Sequence, residues 1–180
     1  MCNPFKMIET LISSKTRIKI LFKFFLNPEN TSYLRELASE FKESTNAIRM
    51  ELNRFEAAGM LDSTRNGNRK IFKANKKHPL YDDIRNIILK YSGVDKIIDK
   101  VIRLMGKPEK VFLTGDLARG KNNDVVDIII VGDINISYLI KLIQKTEQEI
   151  KKHIRYLVYS AEEFNHSEVD NSNSMLLWSN

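Results

Sequence analysis

The sequence predicts a two-domain α+β protein: a helical domain closed by a β-hairpin, a helical connector, and an α/β domain with a small mixed sheet. Three observations favour this fold class. Residues 1–78 hold 15 Lys and Arg against 8 Asp and Glu, a net charge of +7, whereas residues 79–180 hold 14 against 15, a net charge of −1. Helical apolar spacing that ends in a hairpin signal fills the first part, and short apolar runs typical of buried strands fill the last. The helical domain with its hairpin is expected over residues 1–78, the connector over residues 79–107 and the α/β domain over residues 108–180.

The composition indicates a folded protein of the reducing cytoplasm. The apolar content of 42% is enough for a real core. The single cysteine, Cys2, excludes a disulfide framework. We expect no signal peptide before the first helical pattern. We also expect no membrane partner, because no apolar run approaches the roughly 18 residues of a membrane span. The basic first part indicates a polyanionic partner.

Three helical patterns occupy the first 60 residues. They are SKTRIKILFKFFL (14–26), YLRELASEF (33–41) and TNAIRMELNRFEAAGML (45–61). In the first, the four basic side chains from Lys15 to Lys23 are expected mostly off the buried face. In the third, Ile48, Leu52 and Phe55 share the buried face, and Gly59 gives a helix stop.

A β-hairpin is predicted directly after the third helix. In MLDSTRNGNRKIFKAN, the Asn66-Gly67 pair suits both central positions of a type I′ turn between two strands. Its tip and flanks are basic. Two short helices joined by a polar turn and followed by a hairpin make a helix-turn-helix order.

The segment TSYLRELASEFKESTNAIRMELNRFEAAGMLDSTRNGNRKIFKAN resembles the winged helix-turn-helix of ArsR-like transcriptional regulators. The resemblance implies double-stranded DNA as a partner, with the third helix in the major groove and the hairpin, or wing, along the backbone. The implied base contacts are Thr45, Asn46, Arg49 and Asn53. The implied phosphate or wing contacts are Lys15, Arg17, Arg54, Arg65, Arg69 and Lys70. Winged helices also serve as protein-docking modules, which is the alternative reading.

Metal sensing, known in that family, is not expected. The cysteine and histidine side chains that it needs are far apart in this sequence, at Cys2, His78, His153 and His166. The connector holds two helical stretches separated near Ser92-Gly93, and we expect them to pack both domains together.

The last domain begins with two predicted strands. They are Val111–Leu113 and Val125–Val131, separated by the polar turn 115–124. A helix in SYLIKLIQKTEQEIKKH and a third strand in IRYLVYS follow, then a short helix in AEEF. The terminal MLLW fits either a final strand or a packing plug.

This part of the chain, roughly residues 79–164, resembles the minimal nucleotidyltransferases of the polymerase-β-like superfamily. The family pattern is Gly-Ser, then Ala-Arg-Gly, then Asp-x-Asp on the second strand and a third acid on a later strand. Ala118-Arg119-Gly120 matches, but Asp116 replaces the serine and only Asp127 remains of the strand pair, in either register. Arg155 stands where the third acid belongs. Since two-metal chemistry needs those carboxylates, we expect no catalytic residue, no metal site and no cofactor, and an ion pair between Asp127 and Arg155.

The sequence therefore favours a DNA-binding transcriptional regulator whose second domain is an inactive nucleotidyltransferase fold used for dimerisation, sensing or partner contact. One alternative is an active transferase that holds Mg²⁺ on Asp116, Asp124 and Asp127. Another is a nucleotide sensor, whose candidate contacts are Gly115, Arg119, Lys121 and Asp127. A homodimer is expected by analogy with regulators that read palindromes.

Overall fold

The computed structural model describes residues 10–105, 108–165 and 174–180, which leaves Cys2 and His166 outside the described residues. The chain divides into two compact units, Met1–Tyr91 and Ser92–Asn180. This division falls inside the expected connector, between its two helical stretches. The boundaries after residues 78 and 107, and the packing of the connector on both domains, stay predictions.

The first unit combines helices with a small antiparallel sheet. Its elements are α1 (Lys15–Leu21) with a π-helical continuation (Phe22–Leu26), β1 (Ser32–Tyr33), α2 (Leu34–Phe41), α3 (Thr45–Ala57), β2 (Leu61–Asn66), β3 (Arg69–Ala74) and α4 (Tyr81–Ser92), whose last residue begins the second unit. The strands lie in the order β1-β3-β2. The order of helices and hairpin is the one that the sequence predicts.

The segment 20–26 corrects the amphipathic prediction for the first helix, because every residue in it is buried. The chain leaves α-helical geometry at Phe22, and three of the five residues that follow the change are phenylalanine. Phe22 packs edge-on against Tyr91, with 5.9 Å between ring centroids. Lys23, expected on the polar side, is also buried, and its Nζ lies 2.9 Å from a carboxylate oxygen of Glu40. A lysine is tolerated here because its charge has a partner.

A tight polar turn joins α2 to α3, as predicted. Lys42 ends α2 in the left-handed conformation with φ of +55°, and the Glu43 N–H donates to the Ala38 carbonyl at 3.0 Å. Ser44 then caps α3, since its Oγ accepts a hydrogen bond from the Ala47 N–H at 3.2 Å. The turn and the cap fix where the exposed face of α3 begins.

The hairpin turn is shifted by one residue from the prediction. Asn66 pairs with Arg69, so the two central residues are Gly67 and Asn68 rather than Asn66 and Gly67. Gly67 has φ of +58°, but among the described non-glycine residues positive φ is found only at Lys42 and Lys151. A type I′ turn needs positive φ at both central positions and is therefore not formed. Glycine at the first central position is instead what a type II′ turn requires.

The second unit contains a mixed four-stranded sheet. Its elements are α5 (Val94–Lys96) with a π-helical continuation (Ile97–Ile102), β4 (Lys110–Thr114), α6 (Gly115–Ala118), β5 (Val125–Val131), α7 (Ile136–Ile150), β6 (His153–Tyr159), α8 (Ala161–Asn165) and β7 (Met175–Ser179). The strands lie in the order β6-β5-β4-β7, and β5 and β6 are parallel while the other pairs are antiparallel. The terminal segment MLLW is thus a strand and not a plug.

Helix α7 connects the two parallel strands and covers a buried part of the sheet. Its buried side chains are Leu139, Ile143, Thr146 and Ile150. Gly93, at φ of +83°, lies so close to Ile150 that an added Cβ would meet that side chain at 3.1 Å. The predicted break near Ser92-Gly93 is therefore a point of close packing within the second unit. None of the described helices has the length and apolar character that crossing a membrane requires.

Candidate nucleic-acid interface

The exposed face of α3 brings together the four predicted base contacts. Ile48, Leu52 and Phe55 are buried, with exposures of 0%, 1% and 5%, and they fix the orientation of the helix. At about 100° per residue, the opposite side then faces solvent. The four side chains on or beside that side, all exposed, are Thr45, Asn46, Arg49 and Asn53.

Met50 lies on the same exposed face and was missed by the sequence reasoning. It is three residues before Asn53 and four after Asn46, and its side chain is 50% exposed. The signal available in the sequence was its position opposite Leu52 and Phe55. An exposed methionine among polar side chains adds a contact surface suited to the thymine methyl group, which projects into the major groove.

The hairpin of β2 and β3 lies on one flank of α3 and is tied to it through Glu56. Lys70 Nζ lies 2.6 Å from one carboxylate oxygen of Glu56, and Ser63 Oγ donates to the other at 2.5 Å. These hydrogen bonds, the stronger from Lys70, lower the pKa of Glu56 below its ordinary value. Since Arg49 precedes Glu56 by seven residues, Arg49 is on the side of α3 that faces the hairpin.

Two arginines of the hairpin remain available for a polyanion. Arg65 and Arg69 are exposed, and neither forms an ion pair within the described residues. The Arg69 guanidinium lies over the ring of Tyr33 in β1, 4.9 Å from its centroid, which restricts where the charge points. Arg65, Arg69 and Lys70 line a shallow concavity with Gly67 and Asn68 at the hairpin tip. Lys70 differs from the two arginines because its charge is already shared with Glu56.

The other flank of α3 carries two of the remaining predicted phosphate contacts, Arg17 and Arg54. Arg17 of α1 and Arg54 of α3 both contact the buried carboxylate of Glu51. Lys15 is exposed and has no ion pair within the described part of the chain. The structure thus places basic side chains on both flanks of the exposed face of α3.

Two further lysines, Lys19 of α1 and Lys23 of its π-helical continuation, pair with carboxylates of α2 and of the α2–α3 turn. Lys23 is paired with Glu40 of α2, and Lys19 Nζ lies 2.6 Å from Glu43 in the α2–α3 turn. Burial alone would raise the pKa of Glu43, but hydrogen bonds from Lys19 and Thr16 outweigh it and lower that pKa. Part of the basic excess of the first unit is therefore paired with carboxylates inside that unit and adds no net positive charge to its surface.

In the second unit, Asp127 is held by Arg155, as the sequence predicts. The two residues are register partners on parallel strands β5 and β6. Arg155 Nε and Nη2 donate to the two Asp127 carboxylate oxygens at 2.6 and 3.0 Å, and the Asp127 carboxylate raises the pKa of Arg155. Because the guanidinium donates to both oxygens, a metal ion at Asp127 has to compete with the charge and the hydrogen bonds of Arg155.

The same carboxylate leaves no room for a side chain at position 115, which is glycine. A Cβ added there would lie 2.4 Å from Asp127 Oδ2, and Gly115 has φ of +67°. Of the other candidate nucleotide contacts, Arg119 and Lys121 are exposed. Within the described residues there is no group of three or more His, Cys, Asp or Glu side chains placed to hold a metal ion. The alternative site on Asp116, Asp124 and Asp127 is therefore not assembled.

The loop before β5 is organised by a buried lysine that the sequence reasoning missed. Lys152 Nζ donates to Asn122 Oδ1 at 3.0 Å and to the Asn123 carbonyl at 2.6 Å, and burial lowers its pKa. Asn123 in turn donates to Asp116 Oδ2 at 3.0 Å. Lys152 is the second residue of a lysine pair that directly follows the end of α7, and the first, Lys151, is exposed. Nothing in the local pattern therefore distinguishes Lys152 from a surface lysine.

One solved structure is weakly similar to the chain. No family model and no curated protein matches the chain. The crystal structure of the transcriptional regulator Tm0710 from Thermotoga maritima is similar with a TM-score of 0.40 and 17% identity, over 58% of this chain and 71% of that chain. A likeness at this TM-score carries no argument about function.

Proposed function

We propose that the chain is a cytoplasmic transcriptional regulator whose first unit is a winged helix-turn-helix that binds double-stranded DNA. The observation that carries this proposal is the exposed polar face of α3 with basic side chains on both flanks. An α-helix fits the major groove of B-form DNA, which is about 12 Å wide and is bordered by a phosphate backbone on each side. A polar face for base edges and a cation on each flank match that geometry.

The chemistry of five predicted contacts suits them to base edges or to phosphates. Arg49 is suited to the two acceptors of guanine and Asn46 or Asn53 to adenine, because those side chains can form two hydrogen bonds to one base edge. Arg65 and Arg69 of the hairpin are suited to phosphates, where charge matters more than base identity. The position of the Arg69 guanidinium over the Tyr33 ring supports this role, because a side chain that is already held in place loses less conformational entropy on binding.

The test is fluorescence anisotropy with a labelled duplex selected by the full chain from a random library. Arg49→Ala is expected to weaken binding to the selected duplex by about 1–3 kcal/mol and to relax sequence preference at one position. Arg69→Ala is expected to weaken binding to all duplexes alike and to lower the salt slope by about 1. The matched control is Lys141→Ala, an exposed lysine of the second unit. Equal effects in all three variants, or no binding by the wild type, would contradict the proposal.

For the second unit we propose a nucleotidyltransferase-like domain that has lost catalysis and serves dimerisation, nucleotide sensing or contact with another protein. The occupied carboxylate of Asp127 supports the loss of catalysis. Calorimetry with ATP and Mg²⁺ or Mn²⁺, together with a labelled-nucleotide transfer assay, is expected to show no metal-dependent transfer. Transfer that disappears in Asp127→Asn would restore the enzyme alternative. Nucleotide binding without transfer would favour sensing, and sedimentation of the full chain would show whether it forms dimers.

A further inference from the structure

The carboxylate of Glu51 gathers two arginines from different helices. Glu51 is on α3, and its side chain is only 9% exposed. Arg17 Nε donates to Oε2 at 3.0 Å, and Arg17 Nη2 donates to Oε1 at 3.3 Å. Arg54 Nη1 donates to the same Oε1 at 3.0 Å. The two guanidinium groups therefore lie beside each other on one buried anchor.

The cluster Arg17–Glu51–Arg54 differs from the other ion pairs of the first unit because two cations share one carboxylate. Within the described residues, four other carboxylates there take one cation each: Glu29 with Lys76, Glu40 with Lys23, Glu43 with Lys19 and Glu56 with Lys70. Those pairs are formally neutral. Glu51 takes two cations, so the cluster keeps a formal charge of +1 in a fixed position.

The two arginines retain hydrogen-bond donors that point to no partner in the described chain. Arginine has five N–H donors. Arg17 uses two and Arg54 one on Glu51. Both side chains reach solvent, with exposures of 39% and 58%. An anion with several oxygens, such as a phosphodiester, can accept from both guanidinium groups at once.

We propose that Glu51 is a positioning residue that holds Arg17 and Arg54 together as a clamp for one backbone phosphate of bound DNA, an inference that rests on the proposed DNA-binding function. Arg54 directly follows Asn53 on α3, so the clamp lies at the flank of the exposed face away from the hairpin. The hairpin arginines and the clamp then contact the two backbones that border one groove. Glu51 contributes although it is negative, because it fixes two positive groups that would otherwise be mobile.

The test compares two substitutions that change the net charge equally. Glu51→Gln and Glu29→Gln each remove one negative charge and so raise the net charge of the chain by one, and Glu29 belongs to an exposed pair with Lys76. Binding of the full chain to a labelled random-sequence duplex is measured between about 50 and 200 mM salt. Glu51→Gln is expected to weaken binding about 10-fold and to lower the salt slope by about 1–2, whereas Glu29→Gln leaves binding unchanged or tighter.

Three outcomes are distinguished. No salt-dependent binding by the wild type overturns the proposed function itself. If the wild type binds and Glu51→Gln binds equally well or more tightly, the clamp is overturned, because Glu51 then acts only as a negative charge.

If circular dichroism shows that Glu51→Gln does not fold, Arg17→Lys and Arg54→Lys replace it, since lysine keeps the charge but not the planar fork. A loss of several-fold in each lysine variant supports the clamp, and unchanged affinity in both overturns it.

Discussion

Lys23→Met is expected to destabilise the first unit strongly, because it leaves a desolvated carboxylate at Glu40. The two side chains are only 9% and 11% exposed, and Lys23 Nζ lies 2.9 and 3.2 Å from the two carboxylate oxygens. At an effective dielectric of about 20, two unit charges at this distance attract by about 6 kcal/mol. Desolvation of both ions offsets most of that attraction, so the pair itself contributes little net stability.

The two kinds of substitution therefore have different costs. Removing only the lysine leaves the carboxylate without its partner, for which we expect a loss of about 3–5 kcal/mol. Replacing both residues, as Lys23→Met with Glu40→Leu, removes both charges and is expected to change stability by less than about 1 kcal/mol or to raise it. The control is Lys76→Met in the exposed pair with Glu29, where the expected cost is below about 1 kcal/mol.

Urea unfolding followed by circular dichroism measures these differences. Trp178, the single tryptophan of the chain, lies in the second unit, so its fluorescence reports that unit separately. With an m-value of about 1–3 kcal/mol per M urea, a cost of about 3–5 kcal/mol corresponds to a midpoint shift of about 1–5 M urea. The reasoning is refuted if Lys23→Met costs no more than Lys76→Met, or if the double variant is as unstable as the single one.

The remaining predictions concern the second unit, the hairpin and α3. Gly115→Ala is expected to destabilise the second unit by more than about 1 kcal/mol, because the new Cβ meets Asp127 and the backbone has positive φ; the Trp178 unfolding transition measures this. Because the pKa of Glu56 is lowered, the carboxylate contributes its full stability at a pH above the ordinary pKa of 4.5 and loses it as the pH falls through the lowered pKa. Glu56→Gln is therefore expected to make the stability of the first unit depend less steeply on pH in acid, and an unchanged pH dependence would contradict this. Met50→Ala is expected to weaken binding to a thymine-containing selected duplex but not to the same duplex with uracil, which lacks the methyl group; equal losses on both would show that Met50 does not contact it.

The sequence predicted the elements of both units well, because apolar spacing is local information. Ile48, Leu52 and Phe55 are close enough in the chain for their common face to be read directly, and the opposite face follows from helix geometry. The Asp127–Arg155 pair was also predictable, since strand order and residue period place both on one face of adjacent strands.

The partners of charged side chains were less accessible to sequence reasoning. Arg17 and Glu51 are separated by 34 residues, and only the packing of α1 on α3 brings them together. Lys23 and Lys152 look like surface lysines in sequence, but the surrounding fold buries both. The hairpin turn shifted by one residue because the pairing of whole strands, not the Asn66-Gly67 preference alone, decides which residues form its centre.

Amide hydrogen exchange of the full chain, with and without the selected duplex, tests the proposed interface most directly. We expect protection on DNA binding in peptides from α3 and from the β2–β3 hairpin, with a smaller effect at the start of α1. The strands of the second unit should exchange as they do without DNA. Protection confined to residues 111–160, or none at a duplex concentration that saturates binding, would contradict the assignment of the first unit as the DNA-binding part of the chain.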